Sequence, residues 1–261
     1  MAKNGRIDLI MWTYNSAKLL PTVLQRINEV IPAELVNKKI ISDDHSTDQT
    51  AEIARKMGWE VHLNRGTGLQ SNKQNALSLV STPTFACFEH DVLLSRHWWR
   101  RASETMMDPH VGVVQGIRLS TDARLRKLDA YEYARRSDKR SVDNNLCRTD
   151  VVRKFGFDES GSPRKMAQDG YTWVVMSNVV SDHVTRASLA ETVQHDMRIH
   201  MLSLPNYTRS QKVGCFKIFV HSPIRALDIV RKTRTYSMLL FYPIDRLAIF
   251  FAYFTRDRKI E

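Results

Sequence analysis

Chemistry in this sequence is concentrated in a few short runs, first among them Glu89-His90-Asp91 and Asp43-Asp44. Residues two apart on an extended chain point the same way, so Glu89 and Asp91 converge if the triplet ends a strand. Two adjacent carboxylates repel unless a cation lies between them. A hard divalent ion shared between carboxylates and diphosphate oxygens meets that need, and it stabilises charge developing on a departing phosphate. Asp43 and Asp44 open the polar run to Asp48. Ser46 with Gln49 makes a capping-box pattern for the next helix. That leaves both acids to accept hydrogen bonds from a ribose hydroxyl or a base N–H. The loop Asn64-Arg65-Gly66-Thr67-Gly68, with Lys73 and Asn75 beyond it, combines small backbone with cations suited to phosphate or sugar. It matches neither the P-loop nor the dinucleotide fingerprint.

The elements that must position these groups alternate. Ile7 to Trp12, Lys39 to Ser42, Trp59 to Leu63 and Thr84 to Phe88 have the composition of short strands. Between them, Leu19, Leu20, Val23, Leu24, Ile27, Val30 and Ile31 recur at helical spacing. The segment at Ala51–Met57 is a second helix, stopped by Gly58, and Gln70–Val80 a third. Strand-helix alternation requires right-handed crossovers and builds a mostly parallel α/β sheet covered on both faces. Ligands of such sheets bind at the carboxyl ends of the strands, where the polar runs after strands one, two and four fall. Further on, strands are expected at Val111–Ile117 and Val142–Cys147. Helices are expected at Leu125–Arg136, from Thr149 to Phe155, and from about Ala167 to Met176.

Composition bounds the partners. The chain has 261 residues, 43% of them hydrophobic, and 39 basic against 28 acidic residues give a net charge of +11. Such an excess favours a polyanionic partner: nucleic acid, anionic lipid or a phosphate-rich substrate. Arg118, Arg124, Arg126, Arg135, Arg136 and Arg140 are read as a solvated face. Aromatics are not interleaved among them as stacking platforms for bases, so no nucleic acid is expected. Three cysteines far apart form no disulfide framework and suit a reducing compartment. No secretory signal is expected from the amino-terminal residues. The apolar stretch Tyr236–Phe254 is interrupted by Pro243, Asp245 and Arg246, so it is not read as a bilayer span. From Ile224 to Lys259, bulky apolar residues are flanked by cations, a pattern suited to an interfacial helix on an anionic membrane. Two domains are expected, residues 1–212 around the sheet and 213–261 as the basic amphipathic segment.

Taken in order, six segments resemble the family 2 glycosyltransferases. They are Trp12-Thr13-Tyr14-Asn15-Ser16; Ile40 through Asp48; Lys73-Gln74-Asn75-Ala76-Leu77; Glu89-His90-Asp91; Asn145-Leu146-Cys147-Arg148 with Phe155-Gly156-Phe157-Asp158-Glu159; and Gln168-Asp169. The resemblance runs from Ile7 to about Trp173 and implies the GT-A nucleotide-sugar-binding fold. It places Thr13, Asn15, Asp43, Asp44 and Lys73 against the nucleotide of a UDP- or GDP-sugar. It makes Glu89 and Asp91 the acids that hold Mg2+ or Mn2+ against the diphosphate, and Asp169 the general base in an inverting displacement. By the same resemblance, a late histidine such as His195 contacts metal or diphosphate. Two positions depart from the pattern: Glu89 stands where the metal motif usually has aspartate, and Gln168 where the base is usually preceded by glutamate. A lipid-linked or saccharide acceptor at the cytoplasmic face of a membrane would account for both the basic apolar segment and the net charge. A non-catalytic nucleotide- or glycan-binding module and a sugar nucleotidyltransferase are the alternatives.

Overall fold

The computed structural model describes residues 5–136, 139–159, 161–184, 188–203 and 209–255. Contacts divide the chain into two units, Met1–Arg118 with Arg136–Val184, and Leu119–Arg135 with Thr185–Glu261.

The first unit begins with the expected alternation: β1 (Ile7–Thr13), α1 (Leu20–Val30), β2 (Val36–Asp43), α2 (Thr50–Lys56), β3 (Glu60–Leu63), α3 (Leu69–Ser78) and β4 (Thr84–Glu89). β5 (Val92–Leu93), α4 (Trp98–Thr105) and β6 (Val111–Ser120) follow and, after α5 (Ala123–Arg135), which belongs to the second unit, β7 (Asn144–Arg148). After these come α6 (Thr149–Phe155), α7 (Ser162–Gln168) and β8 (Thr172–His183). The strands form one sheet in the order β3-β2-β1-β4-β7-β6-β8-β5. Its first four are parallel; β7 runs antiparallel to both β4 and β6.

Alternation along β1 explains how the sheet is covered. Leu9 and Met11 bury against Leu20, Leu24 and Ile27 of α1, while Ile10 and Trp12 face Ala76 and Leu77 of α3 and Cys87 of β4. Each such side chain contributes about 1.5–3 kcal/mol on burial. Both layers together fix the carboxyl ends of β1, β2 and β4 in register, with Thr13 beside Asp43 and Trp12 beside Glu89. Cys87 and Cys147 are buried in the second layer as small hydrophobes.

One expected element is different. The helix anticipated from Ala167 to Met176 ends at Gln168, and the chain enters a twelve-residue strand, β8, at Thr172. Gly170, at φ 81°, reverses the chain between them. The run Thr-Trp-Val-Val-Met that follows is rich in β-branched and aromatic residues, which favour a half-buried pleated surface over a helix.

The second unit is helical: α5, α8 (Leu189–Ser203), α9 (Arg209–Val220), α10 (Ser222–Thr233) and α11 (Met238–Thr255). Leu125, Leu128 and Tyr131 of α5 pack with Ala226 and Ile229 of α10 and with Met238, Phe241 and Tyr242 of α11. The Tyr131 hydroxyl donates to Asp228 at 2.6 Å; burial and that carboxylate push its pKa up to about 12. α8, grouped by sequence with the sheet domain, packs on α11 instead. α11 continues through Pro243. Among the described residues no helix is long and apolar enough to cross a membrane. The basic residues from Arg256 to Lys259 lie outside the described residues.

Candidate active site

At the carboxyl ends of β1 and β2 the two following loops are tied together. Asp43 is buried and accepts from Thr13 Oγ1 at 2.9 Å, from the Ser46 backbone N–H at 2.9 Å and from Ser46 Oγ at 2.6 Å. Its carboxylate is therefore engaged in building the loop. Ser46 is correspondingly spent on Asp43 and does not cap α2. Asp48 instead accepts from the Thr50 N–H at 3.0 Å and the Ala17 N–H at 3.1 Å. Asn15, at φ 46°, accepts from the Thr47 N–H at 2.9 Å, and its own N–H donates to Ser46 Oγ at 2.9 Å. Asp44 reaches the next loop: Asn64 Nδ2 and the Gly68 N–H donate to its two oxygens at 2.7 and 2.8 Å. A Cβ at Gly66 would press on the Ser71 hydroxyl, so a larger residue there requires the Ser71 side chain to move. Asp44 is half-buried, and each of its carboxylate oxygens can accept a further hydrogen bond.

Lys73, on α3, is only 9% exposed and lays its ammonium over the Trp12 ring, 5.4 Å from the centroid. No carboxylate among the described residues pairs with it. Trp12 is the register partner of Glu89 across β1 and β4, which places this cation at the carboxyl-end edge that carries the acids.

Those acids belong to a larger cluster. Asp91 Oδ2 lies 3.1 Å from His183 Nε2, at the end of β8, and β5 and β8 pair so that Val92 faces His183. Arg118, at the end of β6, puts Nη1 2.8 Å from Glu89 Oε2 and 3.5 Å from His183 Nε2, and Nε 2.7 Å from Asp143 Oδ2. The guanidinium is 28% exposed, not the solvated surface cation its neighbours in sequence suggested. Burial raises the Asp91 carboxyl, but the His183 hydrogen bond and the charges of His183, His90 and Arg118 outweigh it and hold Asp91 well below the usual carboxylate range. Asp143 goes the other way: burial pushes it up, Glu89 adds to the rise, and Arg118 opposes it.

The residues named by sequence thus separate. Thr13, Asn15, Asp43, Asp44, Lys73, Glu89 and Asp91 share the carboxyl-end edge of the parallel strands. Asp169 does not. It follows α7, with its carboxylate 47% exposed and 2.6 Å from Lys154 Nζ. Thr172, three residues on, donates its N–H to the carbonyl of His110, just before β6 begins. From there β8 takes eleven residue steps to reach His183, about 35 Å of extended chain. Asp169 therefore lies at the amino-end edge of the sheet, across its full height from Asp91. His195 falls on α8, and its side chain lies outside the described residues. The histidine brought to Asp91 is His183, and the cation is Arg118. For His183 the available signal was its place at the end of an unbroken β-type run.

No group of three or more His, Cys, Asp or Glu arranged for a metal occurs among the described residues. Asp91 and His183 nevertheless converge one oxygen and one nitrogen donor on a point beside Glu89. This donor set fits a divalent ion that takes its remaining ligands from diphosphate and water.

Residues 8–162 match the family model described as Glycosyl transferase family 2. No curated protein sequence matches the chain. Among solved structures, the mannosyltransferase PcManGT from Pyrobaculum calidifontis, in complex with GDP-Man and Mn2+, superposes with a TM-score of 0.59 at 17% identity, over 100% of this chain and 77% of that one. Glucosyl-3-phosphoglycerate synthase from Mycobacterium tuberculosis, in complex with Mn2+, UDP and glucosyl-3-phosphoglycerate, gives 0.52 at 14% identity over 69% and 72% of the two chains. Mannosyl-3-phosphoglycerate synthase from Rubrobacter xylanophilus gives 0.53 at 14% identity, over 70% and 67%.

Proposed function

Because this chain belongs to glycosyl transferase family 2 and is a glycosyltransferase, we propose that it moves a sugar from a UDP- or GDP-sugar to a lipid-linked phosphate, at the cytoplasmic face of a membrane. The observation that carries this reading is the convergence of Asp91, His183 and Glu89 at the carboxyl ends of parallel strands, beside a lysine that has no carboxylate partner among the described residues. Asp91 and His183 would hold Mn2+ or Mg2+, joined by Glu89. When bound, the ion neutralises charge on the departing diphosphate. Lys73 pairs with the same diphosphate from the α3 side. Asp44 and the Asn64–Gly68 loop receive ribose or base. In the transfer the acceptor oxygen bonds to the anomeric carbon while the carbon–oxygen bond to the β-phosphate breaks, and the electron pair leaves on the nucleoside diphosphate.

The position of Asp169 favours a phosphate acceptor over a hydroxyl. A sugar hydroxyl must lose a proton to a nearby base, and the expected base is across the sheet. A phosphate monoester is already an anionic nucleophile at neutral pH, its second pKa being about 6. The unpaired cysteines and the basic apolar helices of the second unit support a cytoplasmic, membrane-surface setting. Two measurements test the reading. UDP-, GDP- and dTDP-sugars are screened for thermal stabilisation that requires Mn2+, and the stabilising donor is then supplied with a polyprenyl phosphate. Release of nucleoside diphosphate with a glycosylated lipid is expected; pyrophosphate would identify a nucleotidyltransferase, and binding with no product a non-catalytic module. Asp169→Asn is expected to keep transfer within about twofold of wild type, as an exposed surface substitution does. A hundredfold loss would return the base to Asp169.

A further inference from the structure

The Glu89–Asp91–His183 cluster already contains a cation. Arg118 reaches it from β6 and binds through two different nitrogens, Nε to Asp143 and Nη1 to Glu89, with the same Nη1 3.5 Å from the His183 nitrogen that faces Asp91. Asp143 is fully buried, so the Nε contact anchors the guanidinium on the sheet side. Glu89 is more open, so the Nη1 contact is the one that can be exchanged. A divalent ion bound through Glu89 and His183 would occupy the position Nη1 now takes. Mn2+ and Mg2+ also need ligand distances of about 2.1 Å, and their charge repels a guanidinium at van der Waals range.

We propose that Arg118 is a cationic latch on the metal site: it occupies Glu89 in the absence of ligand, and yields it only when a divalent ion arrives together with a diphosphate. Anchored by Asp143, the released Nη1 stays within the cleft, where the diphosphate charge replaces that of Glu89 as its partner. Metal alone must displace a cation and is bound weakly; metal with diphosphate brings its own compensating anion. The latch thereby makes metal and donor binding depend on each other. It rests on the glycosyltransferase reading above and adds an order of events to it.

The test is Mn2+ binding to the full chain, measured by electron paramagnetic resonance of the free ion, with and without GDP or UDP. Wild type is compared with Arg118→Gln and with the double variant Arg118→Gln/Asp143→Asn. The double variant leaves no buried acid unpaired and covers the case in which the single variant does not fold. Without nucleotide, both variants are expected to bind Mn2+ at least about tenfold more tightly than wild type. The enhancement of Mn2+ affinity by nucleotide is expected to shrink by the same factor. Wild type that binds Mn2+ with nucleotide, beside a folded variant showing no gain for Mn2+ alone, would overturn the latch and leave the enzyme reading standing. Failure of wild type and variants alike to bind Mn2+ with either nucleotide would overturn both.

Discussion

Asp91→Asn is expected to lower glycosyl transfer at least about 100-fold, roughly 2.7 kcal/mol of transition-state stabilisation, without unfolding the protein. The substitution keeps the size of the side chain and an oxygen that can still accept from His183, so packing at the end of β4 survives. What disappears is a negative charge, and with it the stronger of the donors that would hold the divalent ion. Turnover and its Mn2+ dependence, measured alongside circular dichroism, check this. Wild-type turnover at the same Mn2+ concentrations would take Asp91 out of the mechanism. The pH dependence of stability should change with it. Because the folded Asp91 carboxyl is held below its ordinary value of 3.8, its contribution is fully present above that value. That contribution drains away as pH falls through the folded value. Asp91→Asn should therefore flatten the acid limb of an unfolding curve and leave the neutral range parallel to wild type.

That Asp91 was visible in the sequence, while its partners were not, follows from how each is placed. Period and composition expose a parallel strand buried on both faces, and the residues just past its end are by rule at the ligand edge. Glu89, Asp91, Asp44 and Lys73 were found that way. His183 and Arg118 reach the same point on the other side of the sheet, through β8 and β6. Their meeting depends on the order β7-β6-β8, a non-local choice that no single run of residues encodes. Asp169 failed for the opposite reason. Gln168-Asp169 suits the start of a helix by motif, but Gly170 and the β-branched run after it make it the end of one, and the sheet then carries the chain away. Asp43 shows the limit of local patterns more finely. Ser46-x-x-Gln49 is compatible with a capping box, yet the buried carboxylate three residues earlier competes for the serine and wins, since an uncompensated buried charge costs more than an unmade cap.

Ile224→Asp combined with Leu240→Asp is expected to weaken binding to phosphatidylglycerol–phosphatidylcholine vesicles by about 100-fold. Among the described residues, eleven of the fifteen exposed large apolar side chains lie between Val213 and Phe251, so the second unit, not the sheet, carries the apolar surface. On α11, Met238, Phe241 and Tyr242 are buried inward, while Leu240, Ile244 and Phe251 lie near one line of the helix and stay exposed. On α10 the pair Ile224 and Leu227 does the same, beside exposed Arg231, Lys232 and Arg234. Apolar stripes edged by cations favour an anionic lipid surface over a second copy of the chain, because two copies would bring the cations together. Each isoleucine- or leucine-sized side chain adds about 1.5 kcal/mol or more when buried, and each aspartate adds repulsion from the lipid charge, so about 3 kcal/mol is lost in all, a factor of about 100. Cosedimentation at low and high salt reads it, and wild-type binding should fall with salt as screening removes the cationic share. If the face instead covers a second copy, light scattering would show wild type as a dimer and the double variant as a monomer, with no vesicle binding by either. Outward display of Leu240, Ile244, Ile224 and Leu227 would then be an interface between copies, and the membrane-surface setting would be withdrawn.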